Sequence, residues 1–189
     1  MSKIPPEKLA NFKIYRDHIN KIGNSMPMIF QTLGKNIHST QKYRFILTII
    51  MGTEVIKIKL RGLIILDDYI NELRWYLEKF GNYEIKKMNE YALKSYGQTL
   101  NEFNERYNLE KNDNNLYKKL YNLNKRRNDT VHNAVIKYEG DIQKADEEIR
   151  PYILTQALDD IQKTLTNMIN LRAATLGEVE KELREKGLF

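Results

Sequence analysis

The strongest constraint on the fold is a stripe of apolar residues in the segment 41–80. Leucines and isoleucines recur there at steps of three and four, the spacing of residues along one side of an α-helix. Residues 43–51 are rich in β-branched side chains and would also suit a strand, but no partner strand is evident. We therefore predict one long or broken helix over residues 41–80, ended by Gly81-Asn82. The stripe consists of Leu63, Leu66, Ile70, Leu73 and Leu77.

Helix start and stop signals divide the rest of the chain into further helices. Pro5-Pro6-Glu7 predicts a first helix, Pro151 predicts the start of the last long one, and Thr175 with Glu178 resembles a capping box. We predict an all-α protein, an up-and-down bundle of four to five main helices with short terminal helices. Residues 1–40 would hold an N-terminal helix and a connection of unknown role, and residues 41–189 the bundle. The predicted helices span residues 7–21, 41–80, 83–107, 115–138 and 151–174, with a short terminal helix to Gly187 and an irregular segment at 25–40.

The charge of the chain favours polyanionic partners. Its formal net charge is +6, so its surface carries a mild positive field. Residues 111–140 contain seven Lys and Arg residues but only three Asp and Glu residues. Most of the excess positive charge therefore lies in this segment.

Several classes of site have no support in the sequence. The absence of cysteine excludes disulfides, thiolate metal sites and cysteine nucleophiles. The first residues lack an apolar signal core, and the densest apolar stretch, residues 45–51, is too short to span a bilayer, so we expect a cytoplasmic protein without a membrane partner. His18 and His38 are twenty residues apart and far in sequence from any pair of carboxylates at ligand spacing, so we expect no metal and no cofactor.

Two other polar groups could serve a site, but each has a simpler structural interpretation. Asp67-Asp68 on the long helix is expected to lie on its solvated face. Tyr107, Tyr117 and Tyr121 lie near the basic segment, where aromatic rings can stack on bases, although tyrosines at helical spacing more often pack in a core.

The segment from Arg127 to His132 contains the residue types that RNA cleavage without a metal requires. Histidine can accept and release a proton near neutral pH, and arginine supplies a fixed positive charge for a phosphoryl oxygen. On a straight helix, residues five apart point about 140° away from each other. Three arrangements would bring them together: a curled Arg127 side chain, a helix that starts at Asn128-Asp129, or a two-fold dimer. The same residues would also fit a solvated helix surface.

The segment Arg127-Asn128-Asp129-Thr130-Val131-His132 resembles the Arg-Asn-x-x-x-His signature of the HEPN superfamily, which includes helical toxins, abortive-infection proteins and RNA-targeting CRISPR effectors. A helix pattern over residues 41–174 is similar to that of the family, while residues 1–40 match nothing in it. The resemblance implies a metal-independent endoribonuclease that acts on single-stranded RNA at a homodimer interface, in a toxin or anti-phage setting.

The resemblance also implies a role for each residue of the motif. His132 would act on the 2′-hydroxyl or the leaving 5′-oxygen, Arg127 would stabilise the scissile phosphate, and Asn128 would orient the pair. The products would be a 2′,3′-cyclic phosphate and a 5′-hydroxyl. Lys118, Lys119, Lys125 and Arg126 are the expected RNA contacts.

Two further expectations concern partners and activity. An antitoxin or regulatory protein would restrain such a toxin, but toxins whose partner modifies them carry a tyrosine two places after the histidine, where this chain has Ala134. The alternative function is a non-catalytic helical module that binds RNA or a protein, because several HEPN domains are thought to be inactive.

Overall fold

The computed structural model describes residues 4–20, 43–78, 90 and 94–188, and this part of the chain is built from helices without a strand. The all-α prediction is therefore confirmed. No helix in the described part is both long and apolar enough to cross a membrane. The helices are α1 (residues 6–20), α2 (Arg44–Glu78), α3 (Tyr96–Tyr107), α4 (Leu109–Asn112), α5 (Asn114–Val131), α6 (Ala134–Tyr138), α7 (Ile142–Leu154) and α8 (Ala157–Glu185).

Helix α2 is the centre of the bundle, because residues around most of its circumference are buried. It packs against α3, α5, α7 and α8, and Leu60, Leu63 and Leu73 are fully enclosed. The predicted helix is confirmed over residues 44–78, and the strand alternative for residues 43–51 is excluded. Burial on several sides explains why polar residues form no continuous face on α2. The predicted end at Gly81-Asn82 lies outside the described residues.

Helix α1 packs into the same core as the rest of the chain. It starts within the Pro5-Pro6 pair and is helical through residue 20, and its predicted end at residue 21 lies outside the described residues. Its Phe12 ring is buried 5.1 Å from the Tyr69 ring of α2. Lys8 Nζ lies 3.0 Å from Glu72 Oε1, so an ion pair also joins α1 to α2. The predicted irregular segment at 25–40 lies outside the described residues.

The second predicted helix, over residues 83–107, is confirmed from Tyr96 onward but is interrupted just before it, and its predicted start at residue 83 lies outside the described residues. Lys94 and Ser95 are not helical, and α3 begins at Tyr96. The Ser95 side chain accepts the backbone N–H of Gln98, and the Gln98 side chain accepts the backbone N–H of Ser95. This capping box satisfies two backbone donors at the helix start, which explains why the helix begins there.

The third predicted helix, over residues 115–138, is confirmed at its start but is interrupted near its end. The Asp113 side chain accepts the backbone N–H of Leu116, so α5 starts within the predicted polar break. Helix α5 ends at Val131, and the separate short helix α6 follows from Ala134. Glu139 and Gly140, both at positive φ, close α6 as predicted.

The predictions for the last helices are wrong at two boundaries. Pro151 lies inside α7 instead of starting a helix. The helical segment is interrupted later, at Thr155 and Gln156, where Gln156 adopts a φ of 58°. Helix α8 then runs without interruption through Thr175, whose hydroxyl donates to Leu171 O at 3.1 Å and caps no new helix. Burial of Val179 and Leu183 keeps the terminal turns on the bundle.

The Asp67-Asp68 pair is buried or half-buried and does not form the solvated face expected for it. Arg106 donates to both carboxylate oxygens of Asp68, at 2.5 and 3.1 Å. Asp67 accepts a hydrogen bond from the Tyr107 hydroxyl and pairs with Arg172 Nε at 3.0 Å. Burial raises the pKa of the Asp67 carboxyl, while Tyr107 and Arg172 partly oppose this rise. Compensating cations explain how two acids fit inside the bundle.

Helix α8 runs alongside α2 in the same direction, since Thr166 contacts Lys59 and Arg172 contacts Asp67 further along α2. Asp146 of α7 contacts the start of α2 at Phe45. Helix α5 runs the opposite way, because its Lys119 pairs with Asp160 and its later residue Arg126 lies over Tyr152. The end of α5 therefore lies at the end of the bundle where α2 begins.

Candidate functional site

The end of α5 forms a widened turn that determines where His132 lies. The carbonyl oxygen of Asn128 accepts the backbone N–H of His132 and that of Asn133, each at 2.9 Å. The second bond spans five residues, as in the wider turns often found at functional sites. His132 is thus the C-cap of α5, and the arrangement with His132 in the first turn of a helix is not observed. Sequence spacing does not reveal this turn, since Val131-His132-Asn133 contains neither glycine nor proline.

Arg127 and His132 are in direct contact. Arg127 Nη1 lies 2.8 Å from His132 Nε2, so the curled arginine side chain brings the two groups together within one chain. Because a guanidinium only donates hydrogen bonds, Nε2 of His132 is the acceptor in this contact. Arg127 Nη1 also donates to Asn128 Oδ1 at 3.3 Å. The three side chains of the motif therefore form one connected group.

The group lies on open surface. His132 is exposed, and Arg127 and Asn128 are half-buried. A large anion such as a nucleic-acid backbone can therefore reach the imidazole and the guanidinium without any rearrangement of the bundle. The partial negative charge at the end of α5 also lies beside the guanidinium, which favours the cation in this position.

Lys137 ties α6, which follows His132, to the helices on either side. Its Nζ lies 2.6 Å from Glu148 Oε1 on α7 and 3.5 Å from Asp129 Oδ2 on α5. The hydrogen bond to Glu148, followed by that to Tyr138, raises the pKa of the Lys137 ammonium. Nothing in the sequence pattern pointed to this cluster, because its members are far apart along the chain. It holds the chain on both sides of His132.

The four basic residues expected to contact RNA differ in their surroundings. Lys118 and Lys125 are exposed and have no ion-pair partner in the described part of the chain. Lys119 Nζ pairs with Asp160 Oδ2 at 3.1 Å, which partly neutralises it. Arg126 is exposed but its guanidinium lies 5.1 Å from the centre of the Tyr152 ring. Of these four residues, Lys118 and Lys125 are therefore the most open to an external anion.

Tyr152 lies directly beneath Arg126. Its hydroxyl is buried and makes no hydrogen bond within the described residues. Burial raises the pKa of Tyr152 to about 12, and the positive charge of Arg126 partly opposes this. The ring thus serves as a neutral apolar support that positions the Arg126 guanidinium at the surface.

The three tyrosines near the basic segment have separate environments. Tyr107 is half-buried against α2, where it donates to Asp67. Tyr117 and Tyr121 stack on each other along α5, with ring centres 6.3 Å apart and planes 30° apart. Tyr121 is 54% exposed. The expectation that such tyrosines pack in a core is therefore wrong for Tyr121.

The described residues contain no group of three or more His, Asp and Glu side chains that could hold a metal ion. His18 lies on α1, and His38 falls outside the described residues. Comparisons with protein-family models, with curated proteins and with solved structures found no match.

Proposed function

We propose that this protein is a metal-independent endoribonuclease with an HEPN-like bundle, which cuts single-stranded RNA at the group formed by Arg127, Asn128 and His132. The observation that carries the proposal is the 2.8 Å contact between Arg127 Nη1 and His132 Nε2 at an exposed helix end. A proton-transfer group and a fixed cation stand side by side there, as phosphodiester cleavage requires.

In this mechanism a phosphoryl oxygen of the RNA accepts the hydrogen bond that the Arg127 guanidinium makes to His132, which leaves Nε2 of His132 free for proton transfer. The 2′-oxygen forms a bond to phosphorus as it loses its proton, and the bond from phosphorus to the 5′-oxygen breaks as that oxygen gains a proton. His132 either accepts the first proton or donates the second, and water takes part in the other transfer. The products are a 2′,3′-cyclic phosphate and a 5′-hydroxyl. Asn128 would keep the arginine in place through its side-chain oxygen, 3.3 Å from Arg127 Nη1.

A homodimer would place two such groups near each other, because a two-fold axis brings the same surface of both copies together. Exposed apolar side chains lie close to His132 in sequence and support such a contact: Val131 is 39% exposed and Ile136 is 85% exposed. A toxin or an anti-phage effector would also need a regulatory partner, such as an antitoxin, that restrains its activity. Ala134 offers no hydroxyl for modification, so this partner would act by binding.

The deciding experiment incubates purified protein with labelled single-stranded RNA in EDTA. The wild-type protein is compared with His132→Ala, Arg127→Ala and, as a matched control, Ile14→Ala on the exposed side of α1. We expect cleavage to fall by about 100-fold or more in the first two variants, since each loses a group that acts in the transition state. It should be unchanged in the control. Cleavage that survives in both variants would sink the proposal.

A second candidate, a non-catalytic module that binds RNA, is favoured by one observation. Nε2 of His132 is engaged by Arg127, so the nitrogen that would accept a proton is occupied without RNA. In such a module, Arg127 and His132 would only contact phosphate. Salt-sensitive RNA binding without cleavage in the wild-type protein would select this candidate.

A further inference from the structure

One face of α5 carries three exposed residues in line with the candidate site. Lys118, Tyr121 and Lys125 lie within a sector of about 60° around the helix axis, as the helical repeat of 100° per residue requires. All three are exposed. Tyr121 is eleven residues before His132, a distance of about 16 Å along a helix.

The charge of this face suits a polyanion. Lys118 and Lys125 have no ion-pair partner in the part of the chain that the structure describes. Asp129, the acid nearest to this face along α5, lies 3.5 Å from the Lys137 ammonium, which offsets its charge. A partner protein or a membrane would bind most favourably to an apolar patch on this face of α5. Among Lys118, Tyr121 and Lys125, however, Tyr121 has the one large apolar side chain.

The ring of Tyr121 is held in a defined orientation. Tyr117, one helical turn earlier and half-buried, stacks on it with ring centres 6.3 Å apart. A ring fixed in this way loses little conformational freedom when a flat ligand covers it. Stacking on an exposed aromatic ring between cationic side chains is the usual way in which proteins hold unpaired bases.

We propose that Tyr121 stacks on an unpaired base of single-stranded RNA whose backbone follows α5 to His132, with Lys118 and Lys125 contacting its phosphates. The inference rests on the proposed function, since it extends the same site along the helix by several nucleotides. It assigns Tyr121 a binding role and leaves Lys119, neutralised by Asp160, outside the RNA path.

The test measures binding separately from cleavage. The probe is a single-stranded RNA with a 2′-O-methyl group on every ribose, which cannot be cut, and with one 2-aminopurine whose fluorescence falls on stacking. Full-length wild-type protein, Tyr121→Ala, Tyr121→Phe and Ile14→Ala are compared by fluorescence titration, with circular dichroism as the check on folding. The RNA duplex of the same sequence is titrated in parallel.

We expect Tyr121→Ala to weaken binding by roughly 5- to 150-fold and to abolish the quenching, since stacking of one base contributes about 1–3 kcal/mol. Tyr121→Phe and Ile14→Ala should bind like the wild-type protein. Lys118→Gln and Lys125→Gln should each reduce the slope of the logarithm of the binding constant against the logarithm of the salt concentration, by the amount expected for the loss of about one phosphate contact.

Wild-type affinity in Tyr121→Ala, equal weakening in Tyr121→Phe, or equal binding of the duplex would each overturn the inference. Failure of the proposed function has a different signature, because an inactive protein would still show the Tyr121-dependent quenching. Conversely, if cleavage requires His132 but Tyr121→Ala binds RNA normally, the proposal of a nuclease stands and only the proposal of a stacking site at Tyr121 is wrong.

Discussion

Asp146 of α7 caps the start of α2, which is a hundred residues earlier in the chain. Its Oδ1 atom lies 3.0 Å from the backbone nitrogen of Phe45 and 2.9 Å from that of Ile46. These two backbone N–H groups have no acceptor within the helix, and Asp146 supplies one for both. The carboxylate also faces the positive end of the helix dipole. The central helix of the bundle depends on this contact for its first turn.

Replacement of this cap should destabilise the protein. Asp146→Ala is expected to lower the free energy of unfolding by about 1–2 kcal/mol, as measured by urea denaturation. Asp146→Asn keeps an oxygen acceptor and should lose less than half as much. Equal losses in the two variants would show that the charge matters and the hydrogen bonds do not.

Two helical glycines should respond differently to alanine. A Cβ atom on Gly52 would lie 2.9 Å from Leu158 Cδ1, whereas one on Gly177 would meet no atom within 4 Å. Gly177→Ala should raise the free energy of unfolding by about 0.5–1 kcal/mol, because alanine favours the helix. Gly52→Ala should fall short of that gain by about 1 kcal/mol, since the Leu158 side chain must move out of its packed position. Thermal unfolding of the two variants measures the difference, and equal gains would show that Leu158 repacks without cost.

The Arg106 guanidinium compensates a carboxylate inside the bundle, and its removal should be costly. Arg106→Met leaves Asp68, 2% exposed, without the cation that donates to both its oxygens. We expect a loss of roughly 2–4 kcal/mol in the free energy of unfolding. The double variant Arg106→Met with Asp68→Asn should recover a large part of this loss in the same denaturation assay. No recovery would mean that the arginine stabilises the protein through packing alone.

Lys59 makes stability depend on pH in the alkaline range. It is 4% exposed, and burial lowers the pKa of its ammonium to about 8. Between this value and the ordinary lysine value near 10.5, the unfolded chain binds the proton more tightly than the folded one, so stability contributed by this group rises with pH across that window. Below it, the buried charge carries its full penalty.

Lys59→Met should therefore be more stable than the wild-type protein at pH 7, by about 1–3 kcal/mol. The difference between the two proteins should shrink as the pH rises through the window. Urea denaturation of both proteins at matched pH values removes the contributions of the tyrosines, which are common to both. A difference that does not change with pH would contradict the expectation.

Lys137 should position His132 without touching RNA. Lys137→Met removes the contacts of α6 to Glu148 and Asp129, so the widened turn at His132 should become mobile. If the protein cleaves RNA as proposed, the rate should fall by about 10- to 100-fold, because small displacements of a reacting group are costly. The NMR signals of the His132 ring should broaden or shift in the same variant. Lys144→Met, at an exposed lysine of the neighbouring helix α7, is the control that should change neither.

The local pattern of the sequence was sufficient for the helical class, for the long helix α2 and for the break before α5. These features depend on apolar spacing and on capping residues such as Asp113, which act within a few positions of the chain. The segment Arg127 to His132 was recognisable for the same reason, since the residue types that the proposed cleavage would need are close together in sequence.

Tertiary structure decided the features that depend on partners distant in sequence. Arg106 and Arg172 make it possible for Asp68 and Asp67 to lie inside the bundle, against the expectation for a paired acid. Packing also explains why α7 continues through Pro151 and α8 through Thr175, where local signals predicted helix boundaries. Burial of whole helix faces outweighs single capping and propensity effects of about 1 kcal/mol, which is why local rules failed there. The contact of Arg127 with His132 belongs to the same class, because it depends on a turn that α6 and its Lys137 contacts hold in place.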